Sequence, residues 1–141
     1  MSGESVKISV RVRAFKDEEE RRTNTLCIDM PSDKMVVVKD VNMEKEDRAF
    51  SFDHAFWSFD GFTQDESGYR RPDNEKYADQ RKVWDCLGTV ILEKAWMGLN
   101  CTLFAYGQTG SGKSFSIFGY GGDKGIVPNA CSEIFKRIDT N

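Results

Sequence analysis

The chain has 141 residues, 39% hydrophobic and 30% charged, which is the size and composition of a soluble globular protein with room for one core. A net charge of −3 argues against a nucleic-acid or anionic-surface binder, and no apolar run approaches the roughly 20 residues that span a bilayer. The four cysteines, Cys27, Cys86, Cys101 and Cys131, form no Cys-x-x-Cys pair, and the single histidine, His54, has no neighbouring ligand candidates, so zinc and a disulfide framework are disfavoured and reduced, mostly buried thiols are expected.

The opening MSGESVKISV lacks the charged-then-apolar design of a secretory signal, which points to the cytoplasm. From Val6 to Val12 the residues alternate, with Val6, Ile8, Val10 and Val12 on one face, predicting a half-buried first strand. Arg21 and Arg22 directly follow Asp17, Glu18, Glu19 and Glu20, and this self-cancelling run reads as a solvated turn or helix end. Thr25 to Met30 and Met35 to Lys39 read as a small hairpin turned by Pro31-Ser32-Asp33-Lys34, residues suited to a tight turn. Arg48 to Asp53 alternates again and leads into the aromatic cluster Phe56, Trp57 and Phe59, expected as a strand running into packed loop.

Between Asp60 and Asn74 the sequence is polar, with Gly61, Gly68 and Pro72, and predicts an exposed, mobile loop. From Tyr77 the spacing of Trp84, Leu87, Ile91 and Ala95 becomes helical and stops at Gly98. Cys101 to Tyr106 is a continuous apolar run too short for a helix, the pattern of a central strand covered on both faces. A helix is expected to start near Gly112, break at Gly119 to Gly125 and resume after Pro128, with Val127, Cys131, Ile134 and Ile138 on one face.

Gly107-Gln108-Thr109-Gly110-Ser111-Gly112-Lys113-Ser114 matches in full the phosphate-loop pattern of glycine, four residues, glycine, lysine, then serine or threonine. A phosphate chain is wrapped by backbone amides, and glycines let the main chain curl closely enough to aim several N–H groups inward. A helix opening at the loop adds its positive end. Lys113 is the candidate cation for the outer phosphates, and the Ser114 hydroxyl the candidate ligand for magnesium, a hard ion that takes oxygen donors. A chance glycine-rich turn is the bland alternative; the apolar run before the loop and the helix-forming residues after it weigh against that. Hydrolysis also needs a magnesium-side acid and groups that orient water. Downstream of the loop only Asp123 and Asp139 are available, in a glycine loop and at a helix end, and neither fits; Asp53 ends a strand-like run but precedes the loop.

Phe104-Ala105-Tyr106-Gly107-Gln108-Thr109-Gly110-Ser111-Gly112-Lys113-Ser114 resembles the nucleotide loop of kinesin motors, and the resemblance covers nearly the whole chain. Val10-Arg11-Val12-Arg13 is similar to the kinesin first strand, whose Arg-x-Arg-Pro packs against adenine, with Ala14 standing where the family has proline. Phe50 to Ser58, and Leu87-Gly88 through Ile91 to Ala95, look most like the cargo-carrying kinesin-three class, and Gly125-Ile126-Val127-Pro128 resembles the family's Gly-Ile-(Ile/Val)-Pro. The resemblance implies an α/β, P-loop NTPase-type fold with a central, mostly parallel sheet, helices on both faces and a small side hairpin, truncated so that residues 1–141 are the N-terminal part of a single motor domain.

It further implies ATP or ADP with Mg2+ as cofactors. The nucleotide contacts implied are Gly107, Gln108, Thr109, Gly110, Ser111, Gly112, Lys113, Ser114 and Phe115, with Arg11, Arg13 and Ala14 on the base side and Ser114 on the metal. The Asn-x-x-Ser-Ser-Arg and Asp-Leu-Ala-Gly switches do not occur in the chain, so no catalytic residue is assigned within it. Microtubules are the implied partner, through the part of the domain that is missing; dimerisation would lie in regions outside the chain, neither nucleic acid nor membrane insertion is expected, and the location is cytoplasmic and cytoskeletal. Two rivals remain. A small-molecule kinase or GTPase normally carries its phosphate loop after the first strand, whereas about a hundred residues precede it here; a non-catalytic nucleotide-binding or interaction module is the other.

Overall fold

The computed structural model describes residues 6–42 and 44–140. Residues 1–5, part of the opening segment considered as a leader, lie outside them, as do Met43 and Asn141. The chain divides after Asp60 into two units.

In the first unit, β1 (Ser9–Arg13) runs parallel to β5 (His54–Ser58), from Ser9 opposite His54 to Arg13 opposite Ser58. The aromatic stretch expected as packed loop is therefore a strand. Ala55, Phe56, Trp57 and Ser58 are all buried, so both faces of β5 are covered, and a strand covered on both faces shows no alternation from which to recognise it. Asp53 brackets the entrance to this ladder: its backbone N–H donates to the Ile8 carbonyl at 2.9 Å and its Oδ2 accepts from the Ile8 N–H at 2.8 Å.

The expected hairpin is two strands of a three-stranded antiparallel sheet, β2 (Ile28–Ser32), β3 (Met35–Val38) and β4 (Arg48–Ser51), in that order. β2 continues through Pro31, which sequence placed in the turn. Proline lacks a backbone donor, but β2 is an edge strand and its pairing shifts register between Asp29 and Ser32, which accommodates the missing N–H. Met30, Val36, Ala55 and Trp57 form the core, with Val10, Val12, Ile28, Phe52 and Phe59 packed against it. Burying an indole such as Trp57 removes on the order of 200 Å² from water, worth about 5 kcal/mol, and its Nε1–H is satisfied by Asp60 Oδ1 at 2.7 Å. The acidic-basic run is the exposed helix α1 (Glu18–Thr23), capped by Asp17, whose Oδ1 accepts from the Glu20 N–H at 2.8 Å. Its glutamates occupy the first turn and Arg21 and Arg22 the last, the order that complements the helix dipole.

In the second unit the expected mobile loop is a hairpin, β6 (Phe62–Gln64) paired with β7 (Arg70–Pro72). Asp65 closes it: its Oδ1 accepts from the Ser67 N–H and hydroxyl and from the Tyr69 N–H, while Gly68 sits at φ 84. The helix expected from Tyr77 starts later and is composite, with α2 (Gln80–Val83), a π-helical turn (Trp84–Gly88) and α3 (Thr89–Trp96). Val83, Trp84 and Leu92 are its buried apolar residues, and Tyr77 and Ala78, just before it, are buried too.

Cys101 to Tyr106 forms no strand among the described residues. A strand needs a ladder partner for its N–H and C=O groups, and none pairs with it here. Phe104 and Tyr106 are 79% and 95% exposed, whereas Leu103 lines an apolar cavity of about 210 Å³ with Trp84, Leu92, Ile117, Ile126 and Ala130. Beyond it come α4 (Lys113–Ile117), a short hairpin of β8 (Gly119–Tyr120) and β9 (Asp123–Lys124), and α5 (Ile126–Asp139). The interruption falls where expected, but α5 begins at Ile126, with Pro128 as its third residue, a position in the first turn where no intrahelical donor is required. None of the four cysteines is in a disulfide; Cys27, Cys86 and Cys101 are half-buried and Cys131 is exposed rather than buried. No helix among the described residues is long and apolar enough to cross a membrane.

Candidate functional site

The glycine-rich run Gly107 to Gly112 forms an exposed loop that ends on α4. Gly107, Gly110 and Gly112 have φ of 150, 79 and 99, values that side-chain-bearing residues seldom adopt. A Cβ on Gly107 would come within 2.6 Å of Ser111 Oγ, so a larger residue there would displace that hydroxyl, and the torsion itself favours glycine. Gln108 and Ser111 close a turn, the Ser111 N–H donating to the Gln108 carbonyl at 3.1 Å.

Lys113, the first residue of α4, folds its ammonium back over the loop and donates to the carbonyls of Gly107 at 2.9 Å and Gln108 at 2.8 Å. An ammonium has three N–H donors, so two of them span the loop from its far end and hold the charge against its first residues. Ser114 follows on α4 and is exposed. A glycine-lined loop that a side chain would fill, one cation held against it and one exposed hydroxyl fit a magnesium-bound polyphosphate, because Mg2+ takes a few protein oxygens and completes its shell with phosphates and water. No group of three or more His, Cys, Asp or Glu able to hold a metal occurs among the described residues.

Phe115 is half-buried, its ring 4.8 Å below the Arg70 guanidinium and stacked on Tyr120 at 6.2 Å. Arg11, Arg13 and Ala14 lie in the first unit. Arg11 Nε donates to Ser58 Oγ at 2.8 Å; Arg13 makes a two-pronged pair with Glu20 at 2.9 and 3.1 Å and also donates to the Ala14 carbonyl at 2.6 Å. That pair, with the Lys16 N–H next in weight, holds the Glu20 carboxyl down to about 2. Asp123 is 2% exposed, accepts from the Arg70 N–H at 3.1 Å and lies 3.8 Å from Arg70 Nε. Its carboxylate thus faces Arg70.

The kinesin motor domain family matches residues 11–141 of the chain. The chain belongs to the kinesin motor family. Among curated relatives it is 42% identical over 138 residues to the kinesin-like protein KIF28 of Rattus norvegicus, covering 96% of this chain and 13% of that protein. It is 40% identical to the human kinesin-like protein KIF13A, covering 98% of this chain and 7% of that protein. Among solved structures, KIF14 with ADP in complex with a microtubule matches 97% of this chain and 34% of its own, at 34% identity and a TM-score of 0.79. This kinesin-family chain thus spans a small fraction of the curated relatives it matches and about a third of the matched solved chain. Its mixed parallel and antiparallel strands with flanking helices are those of the P-loop NTPase-type kinesin fold.

In this kinesin chain the Gly-Ile-Val-Pro motif opens α5, and Phe50 to Ser58 carries the end of β4 and all of β5. Sequence reasoning passed over the residues around Phe115. Gln80 Nε2 donates to the Phe115 carbonyl at 2.5 Å and to the Asp123 carbonyl at 3.3 Å. Nothing in the pattern marks Gln80, but Asp65 and Gly68 are turn residues whose spacing signals the hairpin that delivers Arg70.

Proposed function

We propose that the chain is the nucleotide-binding portion of an ATP-driven microtubule motor of the kinesin-three class. In this reading residues 1–141 are the N-terminal part of a single motor domain. The observation that carries it is the loop itself: a full phosphate-loop pattern held in left-handed glycine geometry, with Lys113 drawn against the loop's first two carbonyls. Gly107 to Ser114 wrap the phosphates of ATP or ADP, and Lys113 exchanges a carbonyl contact for a phosphate oxygen. Ser114 ligates Mg2+, which when bound offsets the phosphate charge. The adenine preference is carried over from the family resemblance: Phe115 follows the loop directly, and Arg11, Arg13 and Ala14 are the residues of the first-strand motif. Hydrolysis and microtubule binding need further parts of the domain, and the class rests on the resemblance of Phe50 to Ser58 and Leu87 to Ala95. The microtubule partner is carried over from KIF14, whose solved complexes contain one.

Calorimetric titration of Mg-ADP tests the loop. Lys113→Ala removes a charge-assisted contact worth about 1.5–3 kcal/mol, so affinity is expected to fall at least tenfold; Ser114→Ala is expected to weaken binding only when Mg2+ is present. Unchanged affinity in both variants would sink the assignment, and equal competition by ATP and GTP would sink the base preference alone.

A further inference from the structure

Helix α4 has five residues, and in so short a helix the late carbonyls lack partners of their own. The carbonyls of Gly112 and Ser114 are used by the N–H groups of Ser116 and Phe118. The Phe115 carbonyl is taken by a side chain from elsewhere, the amide of Gln80, 2.5 Å away on the first residue of α2. Gln80 is only 4% exposed, and the same Nε2 reaches the Asp123 carbonyl of β9 at 3.3 Å. It therefore bridges α4 and the hairpin that follows it.

The ring of Phe115 is gripped as well. The Arg70 guanidinium lies between two aromatic faces, 4.8 Å from the Phe115 centroid and 5.3 Å from that of Phe62. Its direction is fixed by Asp123, 3.8 Å from Arg70 Nε and itself 2% exposed. A cation over aromatic rings is held by their negative faces, and a buried carboxylate that loses its cation is strongly destabilised. The Ser67 carbonyl accepts from the Gly122 N–H at 2.9 Å, so the β6–β7 turn also touches the β8–β9 turn.

We propose that Gln80 and Arg70 are positioning residues for the phosphate loop, acting through α4. The proposal rests on the nucleotide-binding reading above. Phe115 directly follows Lys113 and Ser114, and at roughly 1.5 Å per residue its carbonyl is within one turn of both. Five helical residues move as one body, so a shift at Phe115 appears at the lysine and serine that face the phosphates. Gln80 fixes the helix through its backbone and Arg70 through its one aromatic side chain, and the β6–β7 hairpin thereby bears on nucleotide retention without touching nucleotide.

The test is the dissociation rate of a fluorescent ADP analogue, with Mg2+, from the 141-residue chain. Wild type is compared with Gln80→Leu, Gln80→Glu, Arg70→Gln and Arg70→Lys well below their unfolding midpoints, and with wild type brought to matching stability by urea. Gln80→Leu is expected to release the analogue about tenfold faster, the effect of losing one good hydrogen bond, and Arg70→Gln about fivefold to tenfold faster, the scale of a partly desolvated cation–π contact. Arg70→Lys, which keeps the charge opposite Asp123 but not the planar stack, is expected to fall between. Urea-matched wild type is expected to keep the native rate. If Gln80→Leu or Arg70→Gln does not fold, Arg70→Lys, which keeps the charge opposite the buried Asp123, decides. Native rates in the variants, or an equal acceleration in urea, would overturn the positioning role while leaving the phosphate loop intact. Failure of wild type itself to bind the analogue would overturn the phosphate-loop reading and this inference with it.

Discussion

The phenol of Tyr69 donates to Asp79 Oδ2 at 2.5 Å while Asp79 Oδ1 accepts from the Lys82 N–H at 2.7 Å. One carboxylate, 7% exposed, thus caps α2 and anchors the turn of the β6–β7 hairpin. The bond to Asp79 first, and burial second, push the phenol up from 10.0 to about 12. A raised folded value means that the stabilisation is complete below pH about 10 and is lost as pH rises through 12. Tyr69→Phe is expected to lower stability by about 2 kcal/mol at neutral pH, the scale of a hydrogen bond to a charged group, and to remove the alkaline loss. Urea unfolding at pH 7 and pH 11 measures both, and a variant as stable as wild type at pH 7 would contradict the role.

In the first unit, Arg13 and Glu20 tie β1 to α1. The Glu20 carboxyl is held at about 2 against an ordinary 4.5, by the Arg13 hydrogen bond above all. A depressed folded value contributes stability above the unfolded value, and that contribution disappears as pH falls from 4.5 through 2. Carboxyl carbon shifts followed by NMR are expected to show Glu20 titrating last among the glutamates, and Arg13→Ala to return it toward 4.5. An unchanged midpoint in that variant would assign the depression to another cause.

The π-helical turn depends on a glycine. A Cβ on Gly88 would come within 2.0 Å of Trp84 Cε3, and Trp84 is 9% exposed, so the indole has little freedom to withdraw. Gly88→Ala is expected to cost about 2–3 kcal/mol despite the better helix propensity of alanine, because overpacking outweighs the gain of under 1 kcal/mol. A thermal midpoint equal to or above that of wild type would show that the indole repacks freely.

The 141-residue chain by itself is expected to bind Mg-nucleotide without appreciable turnover. Asp123 and Asp139 are the only acidic residues after Lys113 besides Glu133; Asp123 is taken by Arg70, Glu133 lies 3.1 Å from Arg137, and Asp139 ends α5. Ground-state grip without groups aimed at the transition state does not accelerate hydrolysis. Steady-state phosphate release, with and without microtubules, tests this beside a longer protein that carries the switches. Microtubule-stimulated release by the short chain would refute it.

The phosphate loop was legible because its chemistry is local: the glycine spacing, the lysine and the serine fall within eight consecutive residues, Gly107 to Ser114, and their torsions follow from residue type. β1 was legible because alternation reports its apolar face directly, and β3 because the turn residues Asp33 and Lys34 delimit it; α5 was legible in its approximate extent but not in its face, since Val127, Cys131 and Ile138 of the expected face are exposed and Ile134 alone is half-buried. Residue order also carried the family resemblance. Elements covered on both faces were read least well. Ala55 to Ser58 formed a strand without alternation, whereas Cys101 to Tyr106, with the same apolar texture, did not. Composition does not distinguish the two; a ladder partner does, and β5 has β1 while Cys101 to Tyr106 has none among the described residues. The grip of Gln80 and Arg70 on Phe115, across 35 and 45 positions of chain, was likewise decided by tertiary structure, because a side-chain amide or guanidinium acquires its role only when folding brings a carbonyl, an aromatic face and a carboxylate within reach.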